Sequence, residues 1–427
     1  MDTIFAIASG AGTAAITVFR LSGPASGDLL DALCPPRPTP RRACLRALRD
    51  GHGELLDRAL VLWFPAPGSY TGEDSAELHL HGGHAVASGV ATALITLGAR
   101  PAEPGEFTRR AFVNGRMDLL EAEAIADLIA AETAAQRNQA LLQMDGALGA
   151  LYRGWTARLT RALAQQEALI DFPDEDLPSA VEAAAIAEIL ALHGEIMVHL
   201  DDGHRGERLR RGLLVAIVGP PNVGKSTLIN ALAEREVAIV AATPGTTRDV
   251  LEARIDLAGI PVTLADTAGL RLATDPIEAE GVRRAYDRIA SADVVILVTD
   301  ATTPQPPPNI SAECLLRVTN KSDLVAGDVA DGISARTGAG LREFRDRLAA
   351  IATQLTRNTG SPPLTRERHR AALHEAAEYL GRAAEADLPE FRGEDLRLAL
   401  RSIGRVTGHV GAEDILDSLF RQFCIGK

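Results

Sequence analysis

The stretch Gly219-Pro-Pro-Asn-Val-Gly-Lys-Ser-Thr227 brings together residue types whose common chemistry is the holding of a polyphosphate. Gly219 and Gly224 let the backbone turn its N–H groups inward, Lys225 adds a point charge, and Ser226 offers a hydroxyl to Mg²⁺. The β-branched, continuously apolar run Leu213 to Val218 precedes it, and Ser226 to Leu232 follows with apolar residues at helical spacing, so the segment reads as strand, phosphate loop and helix.

Four further signals follow in the order a GTP site requires. Gly245-Thr-Thr-Arg-Asp249 is a switch segment that brings Thr246 and Thr247 to the nucleotide, with the Thr247 hydroxyl on Mg²⁺. Asp266-Thr267-Ala268-Gly269 ends the apolar strand Ile260 to Ala265, with the aspartate facing Mg²⁺ through water and the Gly269 N–H sensing the γ-phosphate. In Asn320-Lys321-Ser322-Asp323 the aspartate accepts both N–H groups on guanine's edge, which adenine cannot match. Ser334-Ala335-Arg336 is the matching clamp on the base. With Asn222, Val223, Gly224, Lys225, Ser226 and Thr227 of the loop, these residues form the expected GTP·Mg²⁺ site.

The residue after Gly269 is Leu270, whose side chain cannot orient water. Two residues offer a substitute. Asn222 can ligate a monovalent cation between the phosphates, and Glu278 can orient the attacking water through a second water. A helix N-terminal carboxylate is an equal reading of Glu278.

The elements that must position these groups fit a chain of several domains. At about 150 residues per domain, 427 residues predict two to four. Hydrophobic content of 46% suits a soluble protein, and no apolar run approaches the roughly 20 residues that span a bilayer. Cys34, Cys44, Cys314 and Cys424 lack metal-ligand spacing, which points to a reducing, cytoplasmic compartment. The net charge of -13 argues against broad non-specific nucleic-acid binding, so any RNA contact must be local. Arg205, Arg208, Arg210 and Arg211 could make one or face solvent, solvent being the favoured reading.

Residues 1–117 read as an α+β domain with strands at Ala14 to Leu21, Ala59 to Phe64 and Ala76 to Leu80 and a helix near His84 to Leu97. The charged, aperiodic stretch Arg100 to Asp118 is either a site-bearing loop or a linker. Residues 118–211 read as nearly unbroken helix to Ile170, a break at Pro173, and a helix near Val181 to Leu200. Residues 212–355 alternate strand and helix as a doubly wound, Ras-like G domain, and helical pattern returns over 356–427. The fold class is therefore multidomain α/β plus α, with the G domain inserted into a helical domain.

Arg20-Leu-Ser-Gly23, Phe64-Pro65, Tyr70-Thr-Gly-Glu-Asp74, Pro104-Gly-Glu-Phe107, Asn114-Gly-Arg-Met-Asp118, Asp171-Phe-Pro-Asp-Glu175 and Phe423-Cys-Ile-Gly-Lys427 lie largely outside the nucleotide domain. Together with the five nucleotide elements they resemble the MnmE (TrmE) family of tRNA-modification GTPases, end to end. The resemblance implies an N-terminal domain that binds tetrahydrofolate, in its 5-formyl or 5,10-methylene form, and forms a homodimer. It also implies a heterotetramer with the FAD-containing MnmG protein. Such proteins add an aminomethyl or carboxymethylaminomethyl group at carbon 5 of the wobble uridine of tRNA.

Carried over, Arg20, Glu77, Arg116 and Lys427 contact folate, with Arg116 standing where the family usually has lysine. Ser226 and Thr247 hold Mg²⁺. Asn222, Ala241, Thr243 and Thr246 form a K⁺ site, and Glu278 is the catalytic glutamate. Cys424 stands in the terminal motif as a candidate near the reacting carbon, and a small buried cysteine fits it as well. A GTP-gated ribosome-assembly factor without modifying chemistry is the alternative, although neither a G-x-x-G RNA clamp nor a second phosphate loop is present.

Overall fold

The computed structural model describes residues 2–10, 12–171, 179–235, 252–266, 287–303, 312–357, 362–408, 423 and 426. They fall into two units, one of residues 1–126, 149–156 and 401–427, the other of residues 127–148 and 157–400.

The first unit is built on β1 (Ile4–Ile7), β2 (Ile16–Ser22), β3 (Cys44–Arg49), β4 (Leu55–Phe64), β5 (Ser75–His81) and β6 (Arg100–Pro101), in the order β3-β4-β5-β2-β1-β6. Period-two alternation puts Phe19, Leu21, Val61, Trp63, Leu78 and Leu80 on one face. There they meet Leu29, Leu30 and Leu33 of α1 (Ser26–Leu33) and Val90 and Leu94 of α2 (His84–Thr96). The opposite face carries Arg20 of β2 directly across from Glu77 of β5, because facing residues of an antiparallel pair share a side.

The aperiodic stretch after residue 100 holds β6 and α3 (Glu106–Val113). Polar residues at helical spacing take the place of apolar ones there. Arg110 is buried and bonds Glu106 and Glu73, which hides the period from an apolarity reading.

The expected long helix after Asp118 is three helices, α4 (Leu119–Ala130), α5 (Ala134–Met144) and α6 (Ala147–Asp171). Thr133 starts α5 with a reciprocal capping box to Gln136, and Gly146 takes a left-handed turn (φ 79°) before α6. α7 (Ser179–Leu200) and α8 (Arg205–Arg211) follow. The span Glu182–Arg211 is long and apolar enough by composition to cross a membrane, contrary to the expectation that no run has that length. α7 nonetheless buries Ala185, Ile189, Leu192 and Ile196 within its unit, as a core helix does.

The second sheet has the order β11-β10-β7-β9-β8. Its strands are β7 (Leu213–Val218), β8 (Glu252–Leu257), β9 (Ile260–Asp266), β10 (Val294–Asp300) and β11 (Leu315–Asn320), parallel except for the β8–β9 hairpin. β7 and β10 are buried along most of their length, which is why they read as continuous rather than alternating apolar runs. α9 (Lys225–Arg235) and α10 (Leu341–Thr356) accompany this sheet, and α11 (Glu367–Glu385) and α12 (Pro389–Thr407) complete the described elements. Of the helical pattern expected over 356–427, residues 409–422 lie outside the described residues.

His199, at the end of α7, is buried beside Asp202, His369 and Arg370. Burial pushes its pKa down to about 4, with Arg370 and His369 acting in the same direction and Asp202 opposing them. The unfolded chain, with an ordinary histidine, binds the extra proton first as pH falls. This group's stabilisation is therefore complete above about pH 6.5 and declines toward pH 4, by an upper limit of about 3 kcal/mol. Chemical unfolding of the wild type and His199→Gln at pH 7.5, 6 and 5 is predicted to show a shallower loss in the variant, and parallel losses would contradict it.

Candidate functional site

The nucleotide residues converge at the carboxyl ends of β7, β9 and β11, where a parallel sheet presents its ligand crevice. Lys225 opens α9 and is buried, its Nζ donating to the carbonyls of Gly219 (3.0 Å) and Pro220 (3.2 Å). Burial holds its pKa below the ordinary lysine value, with Asp266 pulling the other way. No carboxylate bonds its ammonium among the described residues, so the charge is available to an anion in the loop.

Ser226 Oγ donates to Asp266 Oδ2 at 2.8 Å, joining the hydroxyl and carboxylate expected around Mg²⁺. Asp266 Oδ1 is buried without a hydrogen-bond partner among the described residues. An orphaned carboxylate oxygen beside a serine hydroxyl suits a hard divalent cation or its water shell.

Asn320, at the end of β11, ties the loop to the base-recognition segments. Its Nδ2 donates to the Val223 carbonyl at 2.7 Å, and its Oδ1 accepts from the Ala335 N–H at 3.0 Å. Gly224 has φ 94° and lies against Nδ2, where a Cβ would collide. Asp323 accepts from Arg336 at 2.9 Å, and the Ser334 hydroxyl and Arg336 hold its carboxyl below the usual range. Lys321 reaches Asp300 at 2.5 Å, a partner the motif reading does not supply. Asn222 sits exposed at φ 63°, a left-handed conformation that asparagine tolerates.

A second site lies in the first unit, a cavity of about 300 Å³ lined in part by Arg20, Arg41, Phe64, Tyr70, Glu77 and Arg116. Arg20 gives Nε (3.1 Å) and Nη2 (2.9 Å) to Glu77 Oε1, and its guanidinium lies 5.5 Å from the Tyr70 ring centroid and 5.9 Å from that of Phe107. Among the described residues Glu77 Oε2 has only a 3.4 Å contact with His79 Nε2, which leaves it able to accept from a ligand N–H. The Tyr70 hydroxyl is fixed by Thr108 at 2.8 Å. The structure thus gathers Arg20, Glu77 and Arg116 and adds Phe64, Tyr70 and Arg41.

Family models match both parts of the chain. One described as the MnmE helical domain covers residues 119–424, and one described as the N-terminus of the GTP-binding protein TrmE covers residues 3–116. The chain belongs to the MnmE family of tRNA modification GTPases.

Relatives named tRNA modification GTPase MnmE include the protein of Gluconacetobacter diazotrophicus, 60% identical over 99% of this chain and 98% of that one. That of Granulibacter bethesdensis is 53% identical over 100% and 99%. Solved structures similar to the chain include the G domain of the T. maritima FeoB iron transporter, at 24% identity over 33% of this chain and 98% of that one, with a TM-score of 0.25. Another is an Aquifex aeolicus Era variant bound to GDP and tetrafluoroaluminate, at 25% identity over 41% and 69%, with a TM-score of 0.28. A ribosome-assembly GTPase would account for neither end of this MnmE-family match.

Several expected site residues, Ala241, Thr243, Thr246, Thr247, Thr267, Ala268, Gly269, Glu278, Cys424 and Lys427, lie outside the described residues, as does Leu270. Two neighbours of the terminal pair are described. Phe423 packs with Leu119 and Ala122, and Gly426 (φ 103°) lies against the carbonyl of Ile7, the last residue of β1.

Three arginines of α8 are held by carboxylates. Arg208 and Arg211 both bond the buried Asp293, at 3.0 and 2.7 Å, and Arg210 bonds Asp127 at 2.9 Å. Gln136 and Gln139 of α5 cap the carbonyls of Arg210 and Gly206. α8 is a polar helix held by directed bonds, which a search for apolar periodicity passes over.

Proposed function

We propose that this MnmE-family chain hydrolyses GTP to drive modification of carbon 5 of the wobble uridine of tRNA, using a one-carbon unit from a tetrahydrofolate. The FAD-containing MnmG protein is the partner, in a cytoplasmic assembly built on a homodimer of this chain. In this reading residues 1–117 bind folate and dimerise, 118–211 and 356–427 form the helical domain, and 212–355 are the G domain. Carrying the proposal is one chain's possession of both a guanine-nucleotide site and the Glu77 cavity.

Each proposed role follows from chemistry. Lys225 and the loop N–H groups neutralise phosphate charge, and Ser226 and Asp266 suit Mg²⁺, which when bound polarises the phosphate oxygens. Asp323 accepts from guanine. In the cavity, Glu77 Oε2 suits the amidine-like edge of a pterin, with Phe64 and Tyr70 supplying ring walls and Arg20 and Arg116 the cationic side. Lys427 and Cys424 complete this reading as folate contact and candidate near the reacting carbon.

Nucleoside analysis of tRNA from a strain lacking the gene tests the function. Loss of the modified wobble uridine, restored by the wild-type chain and not by a Glu77→Ala variant, is predicted, and unaltered tRNA would contradict the reading.

Asn222, Ala241, Thr243 and Thr246 are proposed as the K⁺ site, with Thr247 on Mg²⁺ and Glu278 orienting the attacking water. GTP turnover in matched KCl and NaCl is predicted to be at least about tenfold faster in KCl, the scale of one added transition-state charge contact. Equal rates would remove the cation from the mechanism.

A further inference from the structure

The loop Gly68 to Gly72 has a glycine at each end, and each leaves room that an arginine fills. A Cβ on Gly68 would lie 2.9 Å from Arg41 Nη2, and a Cβ on Gly72 would lie 3.1 Å from Arg116 Cγ and Cδ. Tyr70 stands between them, and all three side chains line the same cavity.

Arg41 is unusually well specified for an exposed residue. Its backbone is left-handed (φ 59°), a conformation costly for arginine, and its N–H is fixed by the Trp63 carbonyl at 2.8 Å. The guanidinium bonds the Gly68 carbonyl and lies 5.9 Å from the Phe64 ring centroid. Its direction is therefore set before any ligand arrives.

Neither Arg41 nor Arg116 has a carboxylate partner among the described residues, and nearby acids are engaged elsewhere. Glu73 accepts from Ser22 and Arg110, Asp74 accepts from the Ala66 N–H, and Glu77 is locked to Arg20. The lining of this cavity thus carries two guanidiniums in need of counter-charge, that of Arg41 preorganised. A volume of about 300 Å³ is at the small end for ligand pockets and suits a bicyclic ring, with Arg41 and Arg116 on the lining to meet an anionic tail attached to it.

Resting on the reading of this cavity as a folate site, we propose that Arg41 is a specificity-determining residue that selects folates with a poly-γ-glutamyl tail. Arg116 serves the α-carboxylate of the first glutamate, the one carboxylate that residue keeps once its γ-carboxyl is amide-linked. Arg41 takes the α-carboxylate that each added γ-linked residue supplies, with a planar fork matched to carboxylate geometry.

Calorimetric titration of the full chain with 5-formyltetrahydropteroyl monoglutamate and triglutamate tests this. At low ionic strength the triglutamate is expected to bind about fivefold or more tightly, the upper range for an exposed ion pair, and the margin shrinks in high salt. Arg41→Ala, and Gly68→Ala by displacing the guanidinium, abolish the margin by weakening triglutamate binding more than monoglutamate binding; Arg41→Lys keeps part of it. Equal affinities in the wild type, or an equal loss for both ligands in Arg41→Ala, would overturn the inference. Binding without tail preference sinks this inference alone, whereas no binding of either ligand sinks the folate reading with it.

Discussion

The nucleotide site depends on one buried side chain, the amide of Asn320. Its two hydrogen bonds join the Val223 carbonyl of the phosphate loop to the Ala335 N–H of the base clamp, across 97 and 15 residues of sequence. Asn320 is nearly inaccessible, so both bonds form where water cannot replace them. The same contact explains why Gly224 must be glycine, since its Cα abuts the amide. The expected phosphate loop and the expected base clamp are thereby tied into one unit, with β7, β9 and β11 as the frame.

A contrast in how cations are paired runs through the molecule. The α8 arginines Arg208, Arg210 and Arg211 spend their charge on Asp293 and Asp127, so these groups hold structure. Lys225, Arg41 and Arg116 have no carboxylate partner among the described residues, and each lines or faces a recess suited to an anion. Binding and scaffolding are thus divided among chemically similar side chains by whether a carboxylate stands beside them.

Much of this was legible in the sequence. The strand and helix around Gly219 to Thr227 follow from apolar patterning and glycine placement, and the structure has β7 and α9 there. The family resemblance implies Arg20 and Glu77 as two of four folate contacts, and it is the cross-strand register that sets them side by side. What stayed hidden is polar. α3 is held in part by ion pairs, and α8 by ion pairs and by amide caps from α5, so much of their length is written in Arg and Glu rather than in Leu and Ile. The break between α4 and α5 rests on the Thr133 capping box, a local signal inside an alanine-rich run. Arg41 could not be found by motif, because its role arises from a left-handed backbone and from the space above Gly68.

The most direct test of the Asn320 coupling is GDP titration, with Mg²⁺, of the wild type and Asn320→Ala. Removing the amide strands a buried carbonyl and a buried N–H, each costing about 1 kcal/mol or more. The account predicts GDP affinity at least about tenfold weaker in the variant, and affinity within twofold of the wild type would contradict it.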